Sequence, residues 1–372
     1  MVSEPGLTPA ELPDAPDPSP GPNGPGAPAY PWPYPNGPMP QQDGQPDGIW
    51  LSPTPPPADW RPAKPSALPI VQREYHEFFR APRFRWWRPL LSIAMFVGTW
   101  FLATLLISIP LIMIDVSSGR LDMAALSRGE LKLTPLLFLA NNLGLAVAIP
   151  LAGLTAWAVF GQRPRWMSSI AGGFRWGLFW RFVAVAIPIL LASFGVEVLL
   201  GGAPQLVWNA DSWFLIIAIL LTTPLQAAGE EYGTRGLLAR SIGSWFGSAR
   251  VGLVVATVVT SVVFMLLHGA GDPWLNGYYF TVGVSCSILV WKTGGLEAAV
   301  ALHVVNNLIG EVTIPFGALE GMFDREAGSA GPEILIQVFF TLTLVAGLLL
   351  VARRLRIPQS AAPAAFQREA IR

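Results

Sequence analysis

The feature that most constrains this 372-residue sequence is a series of long segments without charged side chains, which begins at residue 90. Eight such segments follow one another, and only one is interrupted by an acid, Glu197. Their limits are 90–114, 134–160, 182–200, 213–228, 251–267, 274–291, 298–309 and 334–352. A helix needs about 20 apolar residues to cross a bilayer, and about 17 are tolerated. The sequence therefore predicts an all-α polytopic membrane protein, a bundle of about eight transmembrane helices within residues 71–357.

The composition supports a membrane protein because the chain has few charged residues. Hydrophobic residues make up 52% of the chain, which is ordinary, whereas charged residues make up only 13%, against about 25% in soluble domains. This excludes a soluble globular enzyme. The formal net charge is zero, so nothing in the overall charge indicates a nucleic-acid partner. The single cysteine, Cys286, excludes an intrachain disulfide.

The first 70 residues differ from the rest of the chain, because they contain 22 of its 36 prolines. Proline fixes φ and removes a backbone donor, so such a segment stays extended and forms no core. We interpret 1–70 as a disordered Pro/Gly-rich cytoplasmic tail whose partner the sequence does not identify. It has neither the basic nor the apolar region of a signal peptide. Residues 358–372 are a short C-terminal tail.

Basic residues alternate between successive loops, and this alternation predicts the orientation. Arg and Lys concentrate on the cytoplasmic side of membrane proteins. Only the first loop, with Arg120, Arg128 and Lys132, departs from the alternation. We therefore expect a multi-pass protein of the cell membrane with both termini in the cytoplasm. The residues that indicate the cytoplasmic side are Arg80, Arg83, Arg85, Arg88, Arg163, Arg165, Arg175, Arg235, Arg240, Arg250, Lys292, Arg353, Arg354 and Arg356.

Two adjacent acids end the fourth apolar segment, and they occupy different faces of the helix. Ionisable groups in the membrane are costly and usually functional. Glu231 and Arg235 are spaced i, i+4, so they can neutralise each other. Glu230 points about 100° away and has no such partner, which suits a general base. The alternative is that both acids lie at the cytoplasmic interface.

Two of the three histidines also lie in apolar segments. His268 ends the fifth segment, where a structural hydrogen bond is the simpler interpretation for an isolated histidine. His303 and Asn307 share one face of the seventh segment, which is short and polar and suggests a helix that faces a cavity. Their two N–H donors can stabilise one oxyanion, or they can join neighbouring helices.

Together these residues resemble a known family, the CPBP intramembrane proteases. That family includes the type II CAAX prenyl endopeptidases and the Abi-type immunity proteins. Its pattern is EExxxR, FxxxH and HxxxN on successive membrane helices, and all three motifs occur here in order within 229–307. The residues that match are Glu230, Glu231, Arg235, Phe264, His268, His303 and Asn307.

The resemblance implies hydrolysis of a peptide bond in a membrane-embedded or lipidated substrate, with the protease-like core at about 211–312. By similarity, Glu230 activates a water with help from His268. His303 and Asn307 stabilise the oxyanion. Glu231 and Arg235 hold the site together, while Phe264 forms part of its wall.

Two questions stay open at the level of sequence. The reaction uses either no cofactor or a zinc ion held by Glu230, His268 and His303, which are plausible ligands; we favour the metal-free glutamate mechanism. Two functions other than proteolysis also fit the sequence. The chain could be a transporter, or a non-catalytic protein that binds a membrane partner, as immunity proteins do. The sequence assigns no role to Glu197.

Hydropathy alone places Glu230 near the inner end of the fourth helix and His268 near the outer end of the fifth. These side chains can meet only if the fourth helix continues inward through 236–245. We therefore expect a long fourth helix and a site partway into the bilayer that opens toward the cytoplasm.

Overall fold

The computed structural model describes residues 65–128, 133–317 and 325–365. Eight long helices, α1 to α8, make up most of this part of the chain, and they confirm the predicted all-α membrane bundle. Their bounds are α1 Arg88–Ser117, α2 Pro135–Phe160, α3 Trp176–Gly201, α4 Ser212–Gly243, α5 Ala249–Leu267, α6 Pro273–Thr293, α7 Glu297–Gly310 and α8 Ile334–Arg354. Shorter helical segments lie at Tyr75–Glu77, Met123–Ser127, Pro164–Met167 and Ile314–Phe316.

Seven of the eight helices are long and apolar enough to cross a membrane, and α6 is the exception among the described residues. It has 21 residues, but several are polar, and their side chains bond either to another helix or to the backbone of α6 itself. The Tyr278 hydroxyl donates to Asn306 Oδ1 at 2.8 Å, and the Ser287 hydroxyl donates to the Gly283 carbonyl at 2.9 Å. The sixth apolar segment of the sequence therefore forms a helix whose polar groups are satisfied inside the bundle.

Two short strands join the chain before α1 to the chain after α8. Strand β1 (Arg73–Glu74) pairs antiparallel with β2 (Ser360–Ala361), with Arg73 opposite Ala361. The two ends of the bundle therefore lie on one side. A chain that starts and finishes on the same side crosses a bilayer an even number of times, so this pairing supports eight crossings with α6 as the eighth.

Helices α2 and α4 are irregular, and a proline lies in each. Helix α2 consists of Pro135–Ala146 and Ala148–Phe160, which are separated at Val147. Pro150 has no N–H and its ring crowds the carbonyl four residues earlier, which explains the break. Helix α4 contains Pro224 and then widens into a π-helix at Tyr232–Leu238 before it ends at Gly243. The fourth helix therefore continues past Arg235 as expected, although it ends at Gly243 and not at residue 245.

Helix α7 lies at the centre of the bundle, where it packs against α3, α4 and α6. Every residue from Glu297 to Val305 is buried. Three of the residues in this stretch are alanines, whose small side chains allow neighbouring helices to approach closely. The large apolar side chains that are exposed, among them Phe101, Leu106, Leu220 and Leu221, lie on the outside of the bundle, as lipid contact requires.

The predicted N-terminal tail falls mainly outside the described residues, which begin at 65. The end of the predicted tail, 65–70, makes ordered contacts with the bundle. The Gln162 side chain donates to the Ala67 carbonyl at 3.0 Å, and the Ala364 N–H donates to the Pro69 carbonyl at 3.0 Å. Of the predicted C-terminal tail, 358–365 are described and include β2.

Candidate active site

A cavity of 1620 Å³ opens among helices α1 to α8, and Glu230, His268 and Asn307 of the three sequence motifs line it. Its wall is largely apolar, with a few polar groups that come from different helices. This is the usual composition of a small-molecule or peptide site. The polar side chains around the three motifs that line it are Gln226, Glu230, His268, Asn306, Asn307, Glu311 and Arg325.

The two adjacent acids of α4 are placed differently, because consecutive helical residues point about 100° apart. The side chain of Glu231 is fully buried, and Arg235 Nη1 donates to its Oε1 at 3.0 Å. Arg235 also donates to the Gly283 carbonyl of α6 at 3.1 Å. The Glu230 side chain keeps 14% of its surface exposed and lines the cavity. One acid is therefore structural and the other is accessible.

His303 lies between the two carboxylates. Its Nδ1 is 2.8 Å from Glu231 Oε1, and its Nε2 is 3.7 Å from Glu230 Oε2. A carboxylate paired with arginine accepts hydrogen bonds, so Nδ1 carries the proton in this contact. The sequence expectation was that His303 and Asn307 form an oxyanion hole together; in the structure the His303 ring is 3% exposed and faces the two acids.

Asn307 is connected to Glu230 through a residue that the sequence analysis did not single out, Gln226. Asn307 Nδ2 donates to Gln226 Oε1 at 3.0 Å, and Gln226 Nε2 donates to Glu230 Oε1. This chain of amides ties α7 to α4 and leaves the second Nδ2 hydrogen of Asn307 for another acceptor. A signal was present in the sequence, since Gln226 precedes Glu230 by four residues.

His268 caps the end of α5, and its ring is held on two sides. Nδ1 lies 2.7 Å from the Phe264 carbonyl, which can only accept, so Nδ1 carries the proton and Nε2 of the neutral ring keeps a lone pair. The Tyr279 ring of α6 stacks on the imidazole with centroids 3.9 Å apart. The Phe264 ring lies 4.5 Å from that of His268 and 5.6 Å from that of His303. The two histidines therefore meet across Phe264, although 35 positions separate them.

The three proposed zinc ligands do not form a compact set. The nearest ligand atoms of Glu230 and His303 are 3.7 Å apart. Among the described residues, however, the ligand atoms of Glu230, His268 and His303 do not all lie within 4.8 Å of one another. A three-ligand zinc site needs donor atoms about 2.0–2.2 Å from a common centre, and this arrangement does not provide it.

Two further ionisable residues of the cavity were not found from the sequence. Glu311 follows the end of α7, and the Thr223 hydroxyl of α4 donates to its Oε2 at 2.6 Å. Arg325 donates to the His268 carbonyl at 2.5 Å. Both residues lie in segments between helices, where no periodicity indicates which way a side chain points.

Gly229 sets the distance between α2 and α4 next to the paired acids. A Cβ at this position would lie 2.0 Å from the Leu145 carbonyl oxygen and 2.7 Å from its carbon. We expect Gly229→Ala to lower the thermal stability of the purified protein, by the 1–3 kcal/mol or so that overpacking usually costs. Gly177→Ala in α3 is the matched control, since nothing lies within 4 Å of the added methyl, and it should unfold at or above the wild-type temperature. Equal unfolding temperatures for the two variants would contradict the assigned close approach.

Comparisons with known proteins show what the segment that carries this site is similar to. Residues 211–309 match a family model described as type II CAAX prenyl endopeptidase Rce1-like. The uncharacterized protein YyaK of Bacillus subtilis (strain 168) is 26% identical over 149 residues, which are 37% of this chain and 47% of YyaK. The chain thus spans about half the length of the curated relative it matches. No solved structure matches. Residues 211–309 are therefore similar to the type II CAAX prenyl endopeptidase Rce1-like family, and they lie within a multi-pass membrane protein.

Proposed function

We propose that the protein is an intramembrane endopeptidase that hydrolyses a peptide bond of a membrane-associated substrate. The substrate class we propose is the prenylated C-terminal peptide that the description of the matched family names. One observation carries the proposal above the others. Of two adjacent acids, Glu231 is neutralised by Arg235, whereas Glu230 lies 3.7 Å from His303 and faces a large cavity that His268 also lines.

In the proposed reaction Glu230 is the general base. It takes a proton from a water molecule while the water oxygen bonds to the carbonyl carbon of the scissile peptide, and the carbonyl π electrons move to its oxygen. When the tetrahedral intermediate collapses, the C–N bond breaks and Glu230 returns the proton to the leaving amine. The step consumes one water and requires no further reactant. The lone pair on His268 Nε2 is suited to accept the other hydrogen of this water and orient it.

The oxyanion is assigned to the second amide hydrogen of Asn307. Gln226 fixes the Asn307 amide by accepting its first hydrogen, so the donor is oriented before the substrate binds, which is what makes such donors effective. His303 is a positioning residue in this scheme. It holds Glu230 against the ion pair of Glu231 and Arg235, and it keeps a ring nitrogen within 3.7 Å of the base.

The cytoplasmic orientation of both termini stays a proposal, and it rests on the arginine-rich loops. The pairing of β1 with β2 supports one shared side for the two ends of the bundle. A site that opens to the cytoplasm would receive a lipidated peptide whose prenyl chain is already in the bilayer.

Asn307→Ala tests the oxyanion assignment. Loss of one such donor lowers kcat by about 10²- to 10³-fold, and we expect this loss with little change in KM for a farnesylated peptide in vesicles, measured by mass spectrometry of the released fragment. Asn141→Ala is the matched control, because this amide lines the same cavity and its hydrogen bond goes to Asn142 rather than to Asn307. An unchanged kcat in Asn307→Ala would remove this residue from the mechanism.

A further inference from the structure

A second cluster of ionisable residues lies outside the candidate active site, in the segment before α1. Glu74, His76 and Glu77 bring one ligand atom each to within 4.8 Å of the others. His76 and Glu77 are 4% and 3% exposed, whereas Glu74 is half-buried. A buried polar atom without a hydrogen-bond partner is costly, and His76 Nδ1 is such an atom, so the contents of this cluster need a reason.

The ring of His76 is oriented as a metal-binding histidine. Its Nε2 lies 2.9 Å from the Ala249 carbonyl, which can only accept, so Nε2 carries the proton. Nδ1 then holds the lone pair. Nδ1 is buried without a hydrogen-bond partner among the described residues, and it points to Glu74 with 3.8 Å between Nδ1 and Oε2. A backbone carbonyl that fixes the far nitrogen in this way is the usual outer contact of a histidine ligand.

The charges around the cluster also fit a divalent cation. Glu74 and Glu77 bring two carboxylates to within reach of His76 Nδ1, which is the negative charge that such an ion requires. Arg73 Nη1 donates to Glu77 Oε1 at 3.0 Å, which orients that carboxylate and leaves its second oxygen for the cluster.

We propose that Glu74, His76 and Glu77 bind one zinc-type divalent ion. One imidazole nitrogen, two carboxylate oxygens and a water make a four-coordinate zinc site. The site does not depend on the proposed function, and its residues do not line the large cavity.

The position of this cluster indicates what the ion does. Gly243, at the end of α4, approaches so closely that a Cβ there would lie 2.5 Å from the His76 carbonyl oxygen. Ala249, which accepts from His76, begins α5. The ion would therefore order the N-terminal segment that packs on the turn between the helix that carries Glu230 and the helix that ends at His268. A chelator would then reduce cleavage without removing any metal from the active site.

The test measures zinc bound to the full-length protein in detergent, after loading with zinc and dialysis. We expect one zinc per chain in the wild type and in Glu230→Gln, and binding at least about tenfold weaker in Glu74→Gln, since even outer contacts of metal ligands contribute 10- to 100-fold. The Glu74 side chain is half-buried, and within the described part of the chain its carboxylate pairs with His76 alone. We therefore expect this variant to fold. A wild type that binds no zinc would overturn the proposal, and so would a loss of zinc in Glu230→Gln but not in Glu74→Gln.

X-ray absorption of the zinc-loaded wild type counts the imidazole ligands of the bound zinc, so it tests the proposed site without a variant. The chain has three histidines, which makes the count of imidazoles decisive. One imidazole with two carboxylates supports the site at His76. Two imidazoles would instead indicate His268 and His303, and would overturn it.

Discussion

Glu230→Gln is expected to abolish peptide cleavage while the protein still folds. The variant keeps the shape of the side chain and an acceptor for the Gln226 amide, but its amide cannot take a proton from water. General base catalysis contributes about 10²- to 10⁴-fold, and Glu230 both accepts and returns the proton, so the effect should lie at the upper end. The measurement is release of the C-terminal fragment from a farnesylated peptide in vesicles.

Glu197→Gln is the matched control for this experiment. Glu197 is a carboxylate that lines the same cavity, where it accepts from Ser193 at 3.2 Å, and the mechanism does not use it. We expect this variant to cleave close to the wild-type rate. If Glu230→Gln retains cleavage, the proposed mechanism is wrong. If the wild type cleaves nothing and the phenotype of cells survives in Glu230→Gln, the protein instead binds and sequesters a membrane partner.

Glu231→Gln should cause the largest loss of stability among the site variants. The change leaves the Arg235 guanidinium, whose side chain is 1% exposed, as an uncompensated buried charge. It also weakens the acceptor that holds His303 Nδ1 at 2.8 Å. Removing one partner of a buried ion pair destabilises proteins by about 3–5 kcal/mol. We expect a clearly lower unfolding temperature in detergent, and loss of cleavage as a consequence of the displaced His303.

The exposed ion pair between Arg120 and Asp211 is the control for Glu231→Gln. Its atoms are 2.9 Å apart, but the two side chains are 47% and 34% exposed, and such pairs contribute about 0–1 kcal/mol. Arg120→Gln should therefore unfold near the wild-type temperature. Equal shifts in Arg120→Gln and Glu231→Gln would show that burial does not govern the strength of the pair, contrary to the argument above.

Local patterns predicted the helices well because each span must satisfy its backbone groups internally in lipid. The ion pair of Glu231 and Arg235 was also predicted from the sequence, because both residues lie on one helix at the i, i+4 spacing. The break at Val147 was not predicted, although Pro150 lies three residues further on. The sixth segment was predicted as an ordinary span, whereas its polar side chains instead face the interior.

The sequence by itself determined the all-α membrane class, because this depends on hydropathy. It also determined the order of the three motifs, and that Glu231 rather than Glu230 pairs with Arg235, because this pairing depends on the 100° step between residues of one helix. Only the tertiary structure decided that His303 contacts both acids, that Gln226 joins Asn307 to Glu230, and that Tyr279 stacks on His268. Apart from the bond from Gln226 to Glu230 within α4, these contacts join side chains of different helices. The crossing of two helices is set by close approaches such as Gly229 against Leu145, which no periodicity in a single segment contains.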